Sequence, residues 1–270
     1  MQIYQPARGV GPAQKDYSYM ILDDVGVEIG KGGLIFRMMK KTFEDRPLNI
    51  EMIMESHPTA RDTLYGALDA CAERIKAQNG GVPARLYTRC GIADQERYAY
   101  FTSMGFDGQD GVELFVRPLR EGDASLNCYQ PTGCQSVDAA LHTRARREMF
   151  LRRLSDLGDE MHAEEWLLDQ MQNPVFMAKV VMYDQEFVGA RLMTGSPKEA
   201  ILHMVGVEPK WRSRGVATGL IEEAMMQLYR QQIPYLVLRA QRRNKRMMRL
   251  MKRCEFQWIR TEELLLGRDL

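Results

Sequence analysis

The 270-residue chain lacks most of the patterns that announce a function. No apolar run approaches the ~20 residues of a transmembrane helix, so no membrane association is expected. Residues 1–15 do not place a basic stretch before an apolar one, and no signal peptide is expected. Net charge is +1, so overall electrostatics favour neither nucleic acid nor an anionic surface. Five cysteines (Cys71, Cys90, Cys128, Cys134 and Cys254) are odd in number and never spaced C-x-x-C, which fits reduced thiols in a cytoplasmic protein. His57, His142 and His162 are scattered without ligand spacing, so no metal is expected. Dinucleotide-binding G-x-G-x-x-G and the P-loop G-x-x-x-x-G-K-[ST] are both missing. No Ser-His-Asp or Cys-His constellation can be read, which argues against an enzyme-borne nucleophile.

What is present centres on residues 203–218, H-M-V-G-V-E-P-K-W-R-S-R-G-V-A-T. An apolar strand pattern from Ile201 to Val207 breaks at Glu208-Pro209. A short basic loop follows, and an amphipathic run opens at Thr218. The first N–H groups of a helix have no intrahelical partner and sit at the positive end of its dipole. Gly215 and Ala217 carry no bulk that would keep a phosphate from those amides. The spacing Val207, Pro209, Arg212, Gly215, Ala217 resembles the pyrophosphate loop of the GNAT acyltransferase superfamily, whose core reads [RQ]-x-x-G-x-[GA].

Strands are expected over 17–22, 34–39 (after the glycines Gly30, Gly32 and Gly33), 48–55, 84–88 and 111–116, with helices over 60–78 and 94–103. The second half reads as helices over 137–154 and 163–171, strands over 176–183, 187–194 and 200–207, then helix, strand, helix and a last strand from Phe256. The halves run in parallel. Pro58 and Pro209 lie 151 residues apart, Phe106 and Phe256 lie 150 apart, and Tyr4-Gln5-Pro6 matches Tyr129-Gln130-Pro131. The expectation is an α/β (α+β) chain of two GNAT-like domains, each a mixed, mostly antiparallel sheet flanked by helices. Residues 1–120 form the first, truncated and degenerate, with Leu64 and Gly66 opposite Gly215 and Ala217; residues 124–270 form the second.

The resemblance implies acetyl-CoA, or another acyl-CoA, as co-substrate and an amine of a small molecule or peptide as acceptor. It puts the pantetheine arm on the backbone of Val205 and Val207. The pyrophosphate would meet the amides of Arg212, Ser213, Arg214, Gly215, Val216, Ala217 and Thr218, with Asn244 also on the cofactor side. His203 is the candidate base, expected by strand alternation on the same face as Val205 and Val207; Glu208 is the second candidate. In the family helix N-x-x-A-x-x-L-Y-x-x-x-G-F the tyrosine protonates the departing thiolate, but here Met251 fills that slot. Tyr235, Cys254 or water stand as substitutes. Eight bases among residues 239–253, with no acid among them, read as neutralisation of the CoA phosphate plus a solvated face. A nucleic-acid contact is the weaker reading, because neither an RNP-type nor a helix-turn-helix pattern accompanies it. The competing class is a silent acyl-CoA-binding module, and exposed sheet edges would permit a homodimer.

Overall fold

The computed structural model describes residues 1–126, 128–158 and 162–270. The first half of the sequence contributes β1 (Gln2–Tyr4), β2 (Ser18–Leu22), β3 (Glu28–Met38), β4 (Leu48–Ser56), α1 (Pro58–Gln78), β5 (Ala84–Gly91), α2 (Gln95–Ser103) and β6 (Asp107–Pro118). The second contributes β7 (Cys134–Asp138), α3 (Arg144–Gly158), α4 (Glu164–Gln170), β8 (Val175–Tyr183), β9 (Glu186–Gly195), β10 (Ala200–Val207), α5 (Val216–Arg230), β11 (Tyr235–Gln241), α6 (Lys245–Arg253) and β12 (Gln257–Asp269).

These elements gather into two compact units that do not follow the sequential division at 120–124. One holds Met1–Gly111 with Glu262–Leu270, the other Val112–Thr261. The cause is an exchange of strands. The end of β12 pairs antiparallel with β5, from Glu263 opposite Gly91 to Asp269 opposite Arg85. In return, β6 pairs antiparallel with β11 from Val112 to Pro118. Each unit is completed by a strand from the other half of the sequence.

Both units use one pattern of strands. The order is β1-β2-β3-β4-β5 and then β12 in the first, and β7-β8-β9-β10-β11 and then β6 in the second. Among the described residues, only the fourth and fifth strands of each pair parallel, β4 with β5 and β10 with β11. The mixed, mostly antiparallel sheet flanked by helices is thus present. The units differ between their first two strands. A single 3-10 turn, Lys15–Tyr17, precedes β2, whereas α3 and α4 stand between β7 and β8.

Two local expectations change. The helix expected from Val137 begins only at Arg144, because residues 134–138 pair with β8 as an edge strand. The glycines at 30, 32 and 33 lie inside β3 rather than before it. A Cβ on Gly32 would stand 2.7 Å from Leu68 Cδ1 and 2.8 Å from the Ile53 carbonyl oxygen, so the close approach of α1 demands a bare backbone there.

In the first unit, Leu64, Leu68, Cys71 and Ile75 of α1 recur at helical spacing and share a core with Ile50, Leu86 and Leu266. In the second, α5 buries Leu220, Ile221, Ala224 and Leu228 together with Val205 and Val207 of β10. A separate cluster joins Leu151, Leu154 and Leu157 of α3 and Leu167 of α4 to Ala178, Ala190 and Leu192. The middle of this sheet therefore carries helices on both faces, α5 on one and α3–α4 on the other.

Candidate active site

β10 is bonded to β9 along its whole length, from Ala200 opposite Gly195 to Val207 opposite Gly189. On its other side it pairs with β11 only at Ala200–Leu236 and Ile201–Val237. Beyond that point, among the described residues, the edge of β10 has no strand partner. Its backbone groups face an opening at the end where the loop begins.

The loop is built to present amides. Pro209–Trp211 make one 3-10 turn, then Ser213 (φ 62°) and Gly215 (φ 85°) adopt left-handed backbone. Gly215 is the N-cap of α5, and the first helical bond runs from the Gly219 N–H to the Gly215 carbonyl at 2.9 Å. The N–H groups of Val216, Ala217 and Thr218 precede that bond and have no carbonyl in the helix. Val216 is buried and Ala217 packs against the same core, which turns their side chains inward. The helix therefore starts at Val216, two residues before the expected Thr218, because the glycine takes the cap.

The two loop arginines do different work. Arg212 donates from Nε to the Val207 carbonyl at 3.1 Å, which ties the loop to the end of β10. Arg214 is exposed, with its guanidinium 5.0 Å from the centre of the buried Trp211 ring. A third group was not anticipated at this place. The Tyr129 ring lies beside Gly215, where a Cβ would come within 2.9 Å of Cδ1, and its carbonyl oxygen would lie 1.9 Å from a Cβ on Gly219. Residues 129–130 thus cross the first turn of α5. The only trace in the sequence is the repeated Tyr-Gln-Pro.

The profile of the Acetyltransferase (GNAT) family matches residues 141–256, which include β10, the loop, α5 and α6. Residues 141–256 form a GNAT domain. Its structure is similar to a GCN5-related N-acetyltransferase from Sphaerobacter thermophilus, with a TM-score of 0.51 and 14% identity over 94% of this chain and 80% of that one. A tandem GNAT protein from the clavulanic acid biosynthesis pathway gives a TM-score of 0.46 and 13% identity over 94% and 82% of the two chains. At such identities the likeness to the Sphaerobacter protein speaks for a common fold. Comparison with curated proteins by sequence gives no match.

Within the GNAT domain His203 departs from its expected face. The register of β10 on β9 shifts between Leu202 and Met204, a bulge that breaks the alternation. Leu202, Val205 and Val207 pack with α5, whereas the His203 ring stands edge-on to Trp166 of α4, centroids 5.6 Å apart. His162 stacks on the same Trp166 at 4.0 Å. His203 Nε2 lies 2.7 Å from Thr194 Oγ1. Burial, with the charges of His162 and Arg239 added, lowers the His203 pKa below its ordinary value, so the ring is neutral at pH 7. Near it, α3 and α4 line a cavity of about 550 Å³ that includes His162, Asp156, Glu164 and Glu165.

The remaining candidates divide by position. Glu208 sits at the mouth of the opening, its backbone N–H bonded to Val188. The Asn244 side-chain oxygen accepts from the Met247 N–H at 3.1 Å, and so serves as N-cap of α6. Met251 is buried in the core shared with α5. Tyr235 opens β11, at the paired end of β10–β11 and away from the loop. Cys254 is buried, and burial first, then the Glu222 charge, pushes its thiol up to about 12. A thiol that holds its proton so tightly is a poor acid for a thiolate.

The first unit has no equivalent loop. β4 ends at Ser56 and α1 begins at Pro58, with His57 alone between them as N-cap. Leu64 and Gly66 lie inside α1, and Leu64 is fully buried.

Proposed function

We propose that the GNAT domain is an acyl-CoA-dependent N-acyltransferase, with acetyl-CoA the simplest donor and a small-molecule or peptide amine the acceptor. The observation that carries this reading is the conjunction of a parted strand edge on β10 with unpaired helix amides at 216–218. These residues fit the donor. The left-handed Gly215 N-cap has no side chain to bond the amides of Val216, Ala217 and Thr218, which leaves them for the pyrophosphate. Arg214 adds a solvent-facing positive charge, and the β10 edge at Val205–Val207 offers backbone groups to the pantetheine amides. Asn244 holds α6 in position rather than touching the donor through its capping oxygen. Acyl-CoA supplies an activated acyl thioester and leaves as the thiol.

His203 acts as the base. It takes one proton from the acceptor's ammonium, whose nitrogen then attacks the carbonyl carbon. The C–N bond forms, the C–S bond breaks, and the second amine proton reaches the thiolate through solvent. This balances without an acidic side chain at Met251. Glu208, at the mouth, draws the cationic acceptor inward, as do Glu165 and Asp156 in the cavity beside His162. All five cysteines are free thiols, which suits a cytoplasmic setting.

Calorimetric titration of acetyl-CoA into the wild type and into Gly215→Glu tests the donor site. Micromolar binding lost in the variant supports the reading; no binding to the wild type removes it. A thiol-release screen across amines, repeated with His203→Ala, then tests turnover. A silent binding module would bind donor and release no thiol with any acceptor.

A further inference from the structure

The bulge in β10 leaves His203 on the face of Ile201 and Thr194 and turns Val205 and Val207 to the other. Thr194 is opposite Ile201 in the β9–β10 ladder, and its hydroxyl is 2.7 Å from His203 Nε2. On its other side the same hydroxyl is 3.4 Å from Gln170 Oε1 at the end of α4. A threonine hydroxyl has one proton to give and lone pairs to receive. Gln170 Oε1 carries no proton, so the hydroxyl proton is directed to it. With its proton given to Gln170 Oε1, Thr194 Oγ1 accepts from His203, an arrangement that puts the proton on Nε2 and leaves the lone pair on Nδ1. Thr194 is 2% exposed, so water does not compete for the hydroxyl. The ring is held in its plane by the Trp166 edge, at 89°, and the charged groups around it are His162 and Arg239.

We propose that Thr194, backed by Gln170, is a positioning residue that fixes His203 as the Nε2–H tautomer and makes Nδ1 the nitrogen that takes the acceptor's proton. This rests on the reading of His203 as the base. The role resembles that of any group that sets which imidazole nitrogen stays basic: it touches no reactant, and acts by excluding the tautomer whose lone pair faces Thr194.

The test separates the tautomer from the activity. Long-range ¹H–¹⁵N spectra of histidine-labelled full chain, with the His203 signals assigned by their loss in His203→Gln, report the tautomer directly. At pH 7.5 the wild type is expected to show protonated Nε2 and unprotonated Nδ1. Thr194→Val is expected to give a mixture of tautomers or the reverse one. It should lower kcat about tenfold at unchanged KM for acetyl-CoA, and Thr194→Ser should restore both. Nδ1–H in the wild type, or a tautomer unmoved by Thr194→Val, overturns the proposal even if His203 proves essential. If the tautomer behaves as expected but His203→Gln turns over at the wild-type rate, the base reading falls and takes the positioning role with it.

Discussion

Arg97 and Met54 are joined across the place where β4 and β5 part, the arginine Nη1 donating to the methionine carbonyl at 3.1 Å. The same guanidinium reaches the Arg89 carbonyl through Nε at 2.8 Å and the Thr88 hydroxyl through Nη2 at 2.6 Å. Parallel pairing of β4 with β5 ends at Glu51 and Tyr87, and Arg97 bridges the strands beyond, beside the Arg89–Glu51 ion pair at 2.6 Å. Desolvation lowers the Arg97 pKa, as expected for a guanidinium drawn between strands. The residue 150 positions on is Met247, which has no donor to offer. The opening of the first unit is filled by its own arginine, and its loop is missing. One acetyl-CoA is therefore expected per chain, and none in Gly215→Glu. Arg97→Met should cost about 3 kcal/mol in urea unfolding, from buried acceptors left unpaired, without changing acetyl-CoA affinity. A calorimetric stoichiometry of two would refute the assignment.

Gly219 and Gly66 make a matched pair of helix glycines with opposite expectations. A Cβ on Gly219 would collide with the Tyr129 carbonyl oxygen at 1.9 Å, and a backbone atom cannot swing aside. Gly219→Ala should lower stability by about 2 kcal/mol, or Tm by about 6 °C, and weaken acetyl-CoA binding by displacing the strap over the first turn of α5. Gly66 in α1 has nothing within 4 Å of its Cβ position. Gly66→Ala should raise stability by about 1 kcal/mol, through helix propensity alone. Equal shifts in thermal scans of the two variants would contradict this.

How far the sequence could be read depended on the range of the interaction. The loop at 208–215 was legible because strand, glycine and helix onset are neighbours, and local backbone chemistry decides them. The common strand pattern of the two units was visible as an offset of 150 to 151 residues. His203 was put on the wrong face because one extra residue in β10 reverses the alternation, and nothing in the residue types at 202–204 signals it. The glycines of β3 stand outside the expected strand because glycine marks turns and close packing alike. Which strand completes which unit was out of reach: the Arg85–Asp269 contact at 3.3 Å joins residues 184 positions apart.

The lowered pKa of His203 has two consequences with pH. Folded His203 binds its proton more weakly than the unfolded chain, whose value is near 6.5. Between those two values the unfolded state holds more protons, so stability rises with pH through the window and falls on acidification below about 6.5. His203→Gln should flatten that part of a Tm–pH profile between pH 5 and 7. In the same range the acid limb of kcat/KM should turn at a pH below 6.5. A limb centred above 7 would assign the titration to the acceptor amine instead of His203.

The exchange of β6 and β12 predicts how the protein can be cut. Residues 262–270 pair with β5 and place Leu265 and Leu266, at 2% and 0% exposure, in the first unit. Arg268 also pairs with Asp69 of α1, and Asp269 with Arg46 and Arg85. Leu266→Ala should cost about 3 kcal/mol, the usual loss for a leucine from a packed core. Removing 262–270 should unfold the first unit while the cradle of the second keeps its own strands. Cutting between 120 and 124 should do worse. Residues 124–270 would then lack β6, leaving β11 with a bare edge from Tyr235 to Gln241 where seven residues of β6 now pair. Expressed alone, residues 124–270 should aggregate or bind acetyl-CoA at least tenfold more weakly than the full chain; co-expression with residues 1–123 should restore binding, because the missing strand returns in trans. A monomeric 124–270 fragment with full affinity would show that β6 is dispensable to the site.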